Sequence, residues 1–222
     1  ADFDAFMATI NIPTEPVARV EDLGVPGPHG PIPARIYWPR EAGADATSAE
    51  LLPVLLHFHG SGFVLGGLDS HDALCRTLCN QADCIVVAVD YRKAPEHKFP
   101  AGIDDCWAAT EWAASHAQGL HGDPERMAVF GDSTGGNNAA VIAQRARDAG
   151  GPALRLQVLV YPLLDMAADR PSYETYGEGY NLTAPVMRWL GKSAVSTSPR
   201  SHEPIRRPTS ASSRASGKTP FL

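Results

Sequence analysis

A serine between small residues is the part of this sequence best suited to chemistry. Gly131-Asp132-Ser133-Thr134-Gly135 fits the pattern Gly-x-Ser-x-Gly, in which small neighbours allow a serine on a sharp strand-to-helix turn with its hydroxyl exposed. Such a hydroxyl can attack an acyl carbon once a base removes its proton. The alternative is a glycine-rich turn without chemistry. The predicted strand before the motif and the predicted helix after it favour a nucleophile.

A second loop could stabilise the charge that such an attack creates. His59-Gly60-Ser61-Gly62-Phe63 directly follows a short apolar run. Acyl transfer builds negative charge on the carbonyl oxygen, and preorganised backbone N–H groups stabilise that charge without reorganising. We therefore expect N–H groups of this loop, together with the N–H of the residue after the serine, to form an oxyanion hole.

Both motifs lie where predicted strands end. Apolar runs predict buried strands, and apolar residues at helical spacing predict helices between them. The strands are predicted at 53–58, 84–89, 127–130 and 157–161, the helices at 70–81, 101–117 and 138–147, and an edge strand at 34–38. Because strands alternate with helices of ten or more residues, the predicted fold class is α/β, a mostly parallel sheet with helices on both faces.

Composition indicates one domain and excludes several classes of partner. The 222 residues are 44% hydrophobic and 20% charged, as in ordinary globular proteins. A net charge of −6 gives no reason to expect a nucleic-acid partner, and the apolar runs are too short for a membrane span. No secretory signal is visible, so a cytoplasmic location is expected. The four cysteines lack metal-ligand spacing, which predicts buried free thiols and no metal. The oligomeric state stays open.

Three motifs in chain order resemble the hormone-sensitive-lipase family of esterases. The loop His59–Phe63 is similar to its H-G-G-G-[FW] motif, and Gly131–Gly136 is similar to its G-D-S-A-G-G motif. Between them, Asp90–Ala101 is similar to D-Y-R-L-A-P-E-H-P-F-P-A. The similarity runs from about Pro26 to Trp189. It implies the α/β-hydrolase fold and hydrolysis of short- or medium-chain acyl esters without a cofactor, with amides or arylacetamides as alternative substrates.

The resemblance assigns roles to individual residues. Ser133 becomes the nucleophile, and the N–H groups of Ser61, Gly62 and Thr134 form the oxyanion hole. The residues that support the two motifs are His59, Gly60, Gly131, Asp132, Gly135 and Gly136. We interpret His59 as a residue that braces the loop rather than as a base. Two positions depart from the family: Ser61 replaces a glycine, which strains the loop if φ is positive there, and Thr134 replaces an alanine.

The base and its orienting carboxylate are the parts of the machinery that the sequence does not show. In the hormone-sensitive-lipase family both residues follow the serine: the acid belongs to a D-P-L-x-D-E motif, and the histidine comes later in the chain. This sequence contains neither the acid motif nor a recognisable histidine motif after it. The single histidine after Ser133 is His202, which is not interpreted as the base. The aspartates after the serine are Asp148, Asp165 and Asp169.

The character of the chain changes near Trp189. From Gly191 to Leu222 there are six Lys or Arg, one Glu and almost no apolar residues, so this basic tail is predicted to be disordered. The α/β-hydrolase domain is accordingly predicted at 1–190, with 1–30 as an N-terminal cap or lead-in, and as C-terminally incomplete. Our hypothesis is that the C-terminal part is missing or was read in a shifted frame.

Two functions follow from these features. The favoured one is a serine carboxylic-ester hydrolase that acts on a small-molecule ester and is impaired in this chain because the acid and the histidine are absent. The alternative is a non-catalytic small-molecule-binding protein, since the family resembles receptors, such as those for gibberellin, that keep the fold but lose the histidine. Reaction of Ser133 with a fluorophosphonate probe separates the two.

Overall fold

Six strands form one sheet in the residues that the structure, a computed structural model, describes, which are 13–40, 51–166 and 170–195. The strands are β1 (Arg19–Gly27), β2 (Gly30–Trp38), β3 (Leu52–Phe58), β4 (Ile85–Val89), β5 (Gly122–Asp132) and β6 (Leu154–Val160). Their spatial order is β1-β2-β4-β3-β5-β6. Strands β4, β3, β5 and β6 are parallel, whereas β2 is antiparallel to both β1 and β4.

In the part of the chain that the structure describes, three α-helices connect the parallel strands and two more follow β6. Within the described residues they are α1 (Asp72–Gln81), α2 (Ala101–His116), α3 (Thr134–Ala149), α4 (Pro171–Thr175) and α5 (Ala184–Ala194). Helix α1 contributes Cys75 and Cys79 to one core cluster, and α2 and α3 contribute residues such as Ala109 and Ile142 to another. None of the helices in these described ranges has the length and apolarity needed to cross a membrane.

The two core clusters lie on opposite faces of the sheet. In β3, Val54, Leu56 and Phe58 belong to the cluster with α2 and α3, while Leu55 belongs to the cluster with α1. Because successive strand side chains point to opposite faces, a strand buried on both faces must be apolar throughout. The predicted α/β class with helices on both faces is confirmed, and all four cysteines are free and buried as predicted.

The N-terminal part differs from the prediction. Arg19–Gly27 forms strand β1, antiparallel to β2, where the sequence predicts a lead-in without a strand. Val25 is buried and Leu23 half-buried, but the intervening positions are exposed. An edge strand with one covered face needs few apolar residues, so its pattern is weak. Residues 1–12 of the predicted lead-in lie outside the described residues.

The C-terminal boundary also differs. Helix α5 continues through Gly191–Ala194, four residues beyond the domain end predicted at residue 190. Its last turn is held because the carbonyl of Ala194, a buried residue, accepts a hydrogen bond from the N–H of Phe99 at 2.9 Å. Composition cannot reveal such a contact. Residues 196–222, which contain His202 and most of the predicted tail, lie outside the described residues.

Candidate active site

Ser133 lies on the turn between β5 and α3, in a backbone conformation unusual for a residue with a side chain. Its φ is 52° and its ψ is −116°. Such conformations cost on the order of 1–3 kcal/mol and persist only where the surroundings enforce them. Here the Ser133 N–H donates to the Val160 carbonyl at 2.8 Å, and its carbonyl accepts from the Leu163 N–H at 2.9 Å. The end of β6 and the segment after it therefore hold the turn from both sides.

Close backbone contacts explain the glycines on either side of this turn. A Cβ at Gly135 would overlap the Phe58 carbonyl oxygen at the end of β3, and one at Gly131 would overlap the Gly135 backbone. A Cβ at Gly136 would lie 3.0 Å from the Pro162 ring. Only glycine allows the helix to begin this close to the sheet.

The loop His59–Phe63 packs against this turn, so the structure brings the two predicted motifs together. The Gly60 N–H donates to the Asp132 carboxylate at 3.0 Å. The N–H groups of Gly62 and Phe63 donate to the Thr134 hydroxyl at 3.1 and 3.3 Å. Residues about seventy positions apart in the chain thus form one hydrogen-bonded unit.

The loop itself carries backbone strain. Ser61, Gly62 and Phe63 have φ values of 94°, 73° and 63°. The φ of Ser61 is therefore positive, which is the condition under which the sequence predicts strain at this position. Two successive hydrogen bonds close the turn, because the N–H groups of Val64 and Leu65 both donate to the Ser61 carbonyl, at 3.4 and 3.0 Å.

His59 is the first residue of the loop, and its side chain is buried. Its Nδ1 is 2.8 Å from the Gly60 carbonyl and its ring stacks on Tyr91 with centroids 4.4 Å apart. Its Nε2 is 3.6 Å from the Asp90 carboxylate. Burial lowers the pKa of His59, although the Asp90 carboxylate acts in the opposite direction. These contacts favour a bracing role over that of a base.

Two histidines that the sequence does not single out lie beside Asp132. The rings of His57 and His71 are 5.5 Å apart, and His71 Nε2 is 3.5 Å from the Asp132 carboxylate. Burial alone would raise the pKa of Asp132, but its hydrogen bond with His71 and the charges nearby hold that pKa below its usual value. The one available signal was a histidine inside an apolar strand, at position 57.

A base for Ser133 is not found in the described residues, where no hydrogen bond joins its hydroxyl to an imidazole. Asp148 is exposed and pairs with Arg147, and Asp165 lies 3.7 Å from Arg170. Asp169 and His202 lie outside the described residues. Nor do the described His, Cys, Asp and Glu side chains form a group of three that could hold a metal ion.

A cavity of about 130 Å³ lies behind the first turn of α3. Its walls include Phe63 of the loop, Asn138 of α3 and Met166. Asn138 is buried, and its side-chain nitrogen has no hydrogen-bond partner among the described residues. This cavity beside the loop is mostly apolar.

Comparison with known proteins gives a match to one family and to many relatives. The model of a family described as alpha/beta hydrolase fold matches residues 55–222. The chain is 55% identical over 150 residues to a Mycobacterium tuberculosis protein named Esterase LipI, covering 68% of this chain and 46% of that protein. It is 41% identical over 162 residues to an Ethyl acetate hydrolase of Pseudomonas putida, covering 72% and 49%.

Solved structures of an esterase and of an alpha/beta hydrolase are also similar to this chain. A hyperthermophilic esterase from the archaeon Pyrobaculum calidifontis superposes with a TM-score of 0.78 at 40% sequence identity, covering 89% of this chain and 61% of that one. An alpha/beta hydrolase from the metagenome of Lake Arreo superposes with a TM-score of 0.80 at 38% identity, covering 88% and 60%. The chain spans about half the length of the curated relatives it matches.

Proposed function

This chain belongs to the alpha/beta hydrolase fold family, and on that premise we propose that it is a carboxylic-ester hydrolase whose nucleophile is Ser133. Three of the four relatives named above are esterases or ester hydrolases, which supports the reaction type. The observation that carries the proposal is the strained turn at Ser133, with φ 52°, against which the loop His59–Phe63 is hydrogen-bonded. Strain of this kind is concentrated at functional sites.

The proposed reaction passes through an acyl-enzyme. The Ser133 oxygen attacks the ester carbonyl carbon while its proton passes to a base, and the carbonyl oxygen becomes an oxyanion. Backbone N–H groups of the loop and of Thr134 stabilise that oxyanion. The intermediate then expels the alcohol, which takes up the proton, and water hydrolyses the acyl-enzyme by the same steps. None of these steps requires a metal or cofactor. Short- or medium-chain acyl esters are the proposed substrates.

The 222-residue chain should itself be a slow catalyst, because its described residues offer Ser133 no base. Loss of a triad member leaves roughly 10³–10⁴-fold acceleration over water from the remaining site. We therefore expect trace turnover of an activated ester rather than ordinary enzyme rates, which are about 1–10³ per second. If the chain turns over substrate at an ordinary enzyme rate and His202→Ala abolishes that turnover, the interpretation that His202 is not the base is wrong.

A fluorophosphonate probe tests the nucleophile directly. The purified chain should be modified slowly at Ser133, as peptide mass spectrometry would show, and Ser133→Ala should prevent the reaction. A matched control is Ser70→Ala, because Ser70 lies outside the loop and its hydroxyl bonds Gly67 and His71. A chain that stays unmodified while it binds a small ligand tightly would support the alternative, a non-catalytic small-molecule-binding protein.

A chimera tests the need for a base. If residues after Trp189 are replaced by the corresponding C-terminal part of Esterase LipI, turnover should rise by about 10³-fold or more, the usual effect of a complete triad. Ser133→Ala in the same chimera should remove that gain. A folded chimera with trace activity only would count against the proposed role of Ser133.

A further inference from the structure

Thr134 follows the proposed nucleophile, and its side chain is completely buried between the turn and the loop. Its Oγ1 accepts hydrogen bonds from two backbone N–H groups of the loop, those of Gly62 at 3.1 Å and Phe63 at 3.3 Å. An alanine, which the resembling family motif has at this position, offers no acceptor. The contact is therefore a property of this particular side chain.

This contact changes the expected set of oxyanion donors. A backbone amide carries one hydrogen, and the Gly62 N–H directs it at the buried Thr134 hydroxyl. The same hydrogen is then not directed at the space in front of Ser133. Of the three N–H groups expected to bind the carbonyl oxygen, those of Ser61 and Thr134 remain.

A second contact holds the first residue of the same loop, His59. The hydroxyl of Tyr91, two residues after the end of β4, donates to the His59 carbonyl at 2.7 Å. Burial raises the pKa of Tyr91 well above its usual value, and a hydrogen bond with the Thr134 side chain opposes this rise. The two hydroxyl groups are thus neighbours beneath the loop, and they fix its first and last residues.

We infer that Thr134 is a positioning residue whose hydroxyl holds the loop against the turn and so places the Ser61 N–H beside the Thr134 N–H as a two-donor oxyanion hole. The inference rests on the proposed function, since it concerns the same site. Replacing the hydroxyl by a methyl group leaves the buried N–H of Gly62 and the partly buried N–H of Phe63 without this acceptor. The loop must then shift to satisfy them, and the Ser61 donor moves with it.

The test uses the purified 222-residue chain and two independent measurements. Hydrogen exchange reports whether the Gly62 and Phe63 amides are held, and the kinetics of Ser133 modification by a fluorophosphonate give the maximal rate and the half-saturating concentration separately. Thr134→Val keeps the shape and removes the acceptor, and Thr134→Ala is a second variant should valine fail to fold. Thr134→Ser restores the acceptor. Thr110→Val is the matched control, because Thr110 is equally buried but bonds the Cys106 carbonyl within α2.

We expect Thr134→Val to speed exchange of both amides roughly tenfold or more and to lower the maximal modification rate by a similar factor, the usual worth of one lost hydrogen bond. The half-saturating concentration should stay within about twofold, since probe binding does not need the oxyanion donors. Thr134→Ser should recover most of both losses. Thr110→Val should leave both measurements unchanged even if it lowers the melting temperature.

Two results would overturn the inference. Unchanged exchange in Thr134→Val and Thr134→Ala would show that the hydroxyl does not hold the loop. Faster exchange with an equal or higher modification rate would show that the hydroxyl competes for a donor instead of positioning one. Failure of the proposed function looks different: the wild-type chain would then resist modification at any probe concentration, and the exchange measurements alone would decide whether Thr134 holds the loop.

Discussion

Acid should destabilise this protein through His57, a histidine inside the central strand β3. His57 is fully buried, and its Nε2 has no hydrogen-bond partner among the described residues. Its Nδ1 is 3.4 Å from the Cys75 sulfur. The titratable groups nearby are Cys75, His71, His59 and Asp132. Burial, with smaller contributions from His71 and His59, lowers the pKa of His57 to about 3, and Asp132 acts in the opposite direction.

The size of the effect follows from the difference between the folded and unfolded pKa. In the unfolded chain the imidazole takes up its proton near pH 6.5, but in the folded protein only near pH 3. Between these values the unfolded state binds more protons, so stability is fully present above pH 6.5 and is lost as the pH falls. At 1.36 kcal/mol for each pH unit, the loss from this one group is about 2 kcal/mol at pH 5.

Urea unfolding of the wild type and of His57→Phe at pH 7 and pH 5 measures this loss. Phenylalanine fills a similar space beside the Phe130 ring, whose centroid is 5.6 Å from that of His57, and it cannot titrate. The free energy of unfolding should fall between the two pH values by about 2 kcal/mol more in the wild type than in the variant. His29→Phe, at an exposed turn, is the control and should lose as much as the wild type. Equal losses in wild type and His57→Phe would refute the argument.

Three further substitutions test other parts of the structure by urea unfolding. Arg92→Met should cost about 3–5 kcal/mol, because it leaves the buried Asp105 carboxylate, now bonded by the Arg92 guanidinium at 2.8 Å, without its charged partner; the double variant Arg92→Met, Asp105→Leu should recover most of this, and no recovery would contradict it. Ser133→Gly should be about 1 kcal/mol more stable than Ser133→Ala, because a φ of 52° strains only residues that have a Cβ; equal stabilities would mean that the turn stores no strain. Asn138→Leu should add about 1–2 kcal/mol by removing a buried amide nitrogen that has no partner among the described residues, and a loss of stability would show that this nitrogen is satisfied.

The central strands could be predicted from the sequence because they are buried on both faces. The predicted runs 53–58 and 84–89 agree with β3 (Leu52–Phe58) and β4 (Ile85–Val89) to within one residue at each end. Strand β1 could not be recognised, since one of its faces is exposed and its apolar residues are few. Helix α3 begins at Thr134, four residues before its predicted start, because its first turn is made of glycine and polar residues selected by close packing rather than by periodicity.

The candidate active site, too, could be predicted from the sequence only in part. The glycines and the serine could be found because a strained turn requires particular residue types at fixed spacing. The hydrogen bond from Gly62 to Thr134 could not, since it joins positions 72 residues apart and depends on which way one peptide group faces. Nor could the contact between His71 and Asp132 be predicted, because a histidine at a helix start gives no sign of what lies across from it.

The turn at Ser133 and the loop His59–Phe63 are both held by contacts that do not involve a base. Ser133 is held by Val160 and Leu163, and the loop is held through Asp132 and Thr134. Each of these hydrogen bonds lies within the described residues. The geometry of the nucleophile and its oxyanion donors therefore does not depend on proton transfer. It follows that Thr134→Val should lower the rate of Ser133 modification in the 222-residue chain itself, and not only in the chimera that supplies a functional histidine, because the oxyanion donors act on the oxygen and not on the proton.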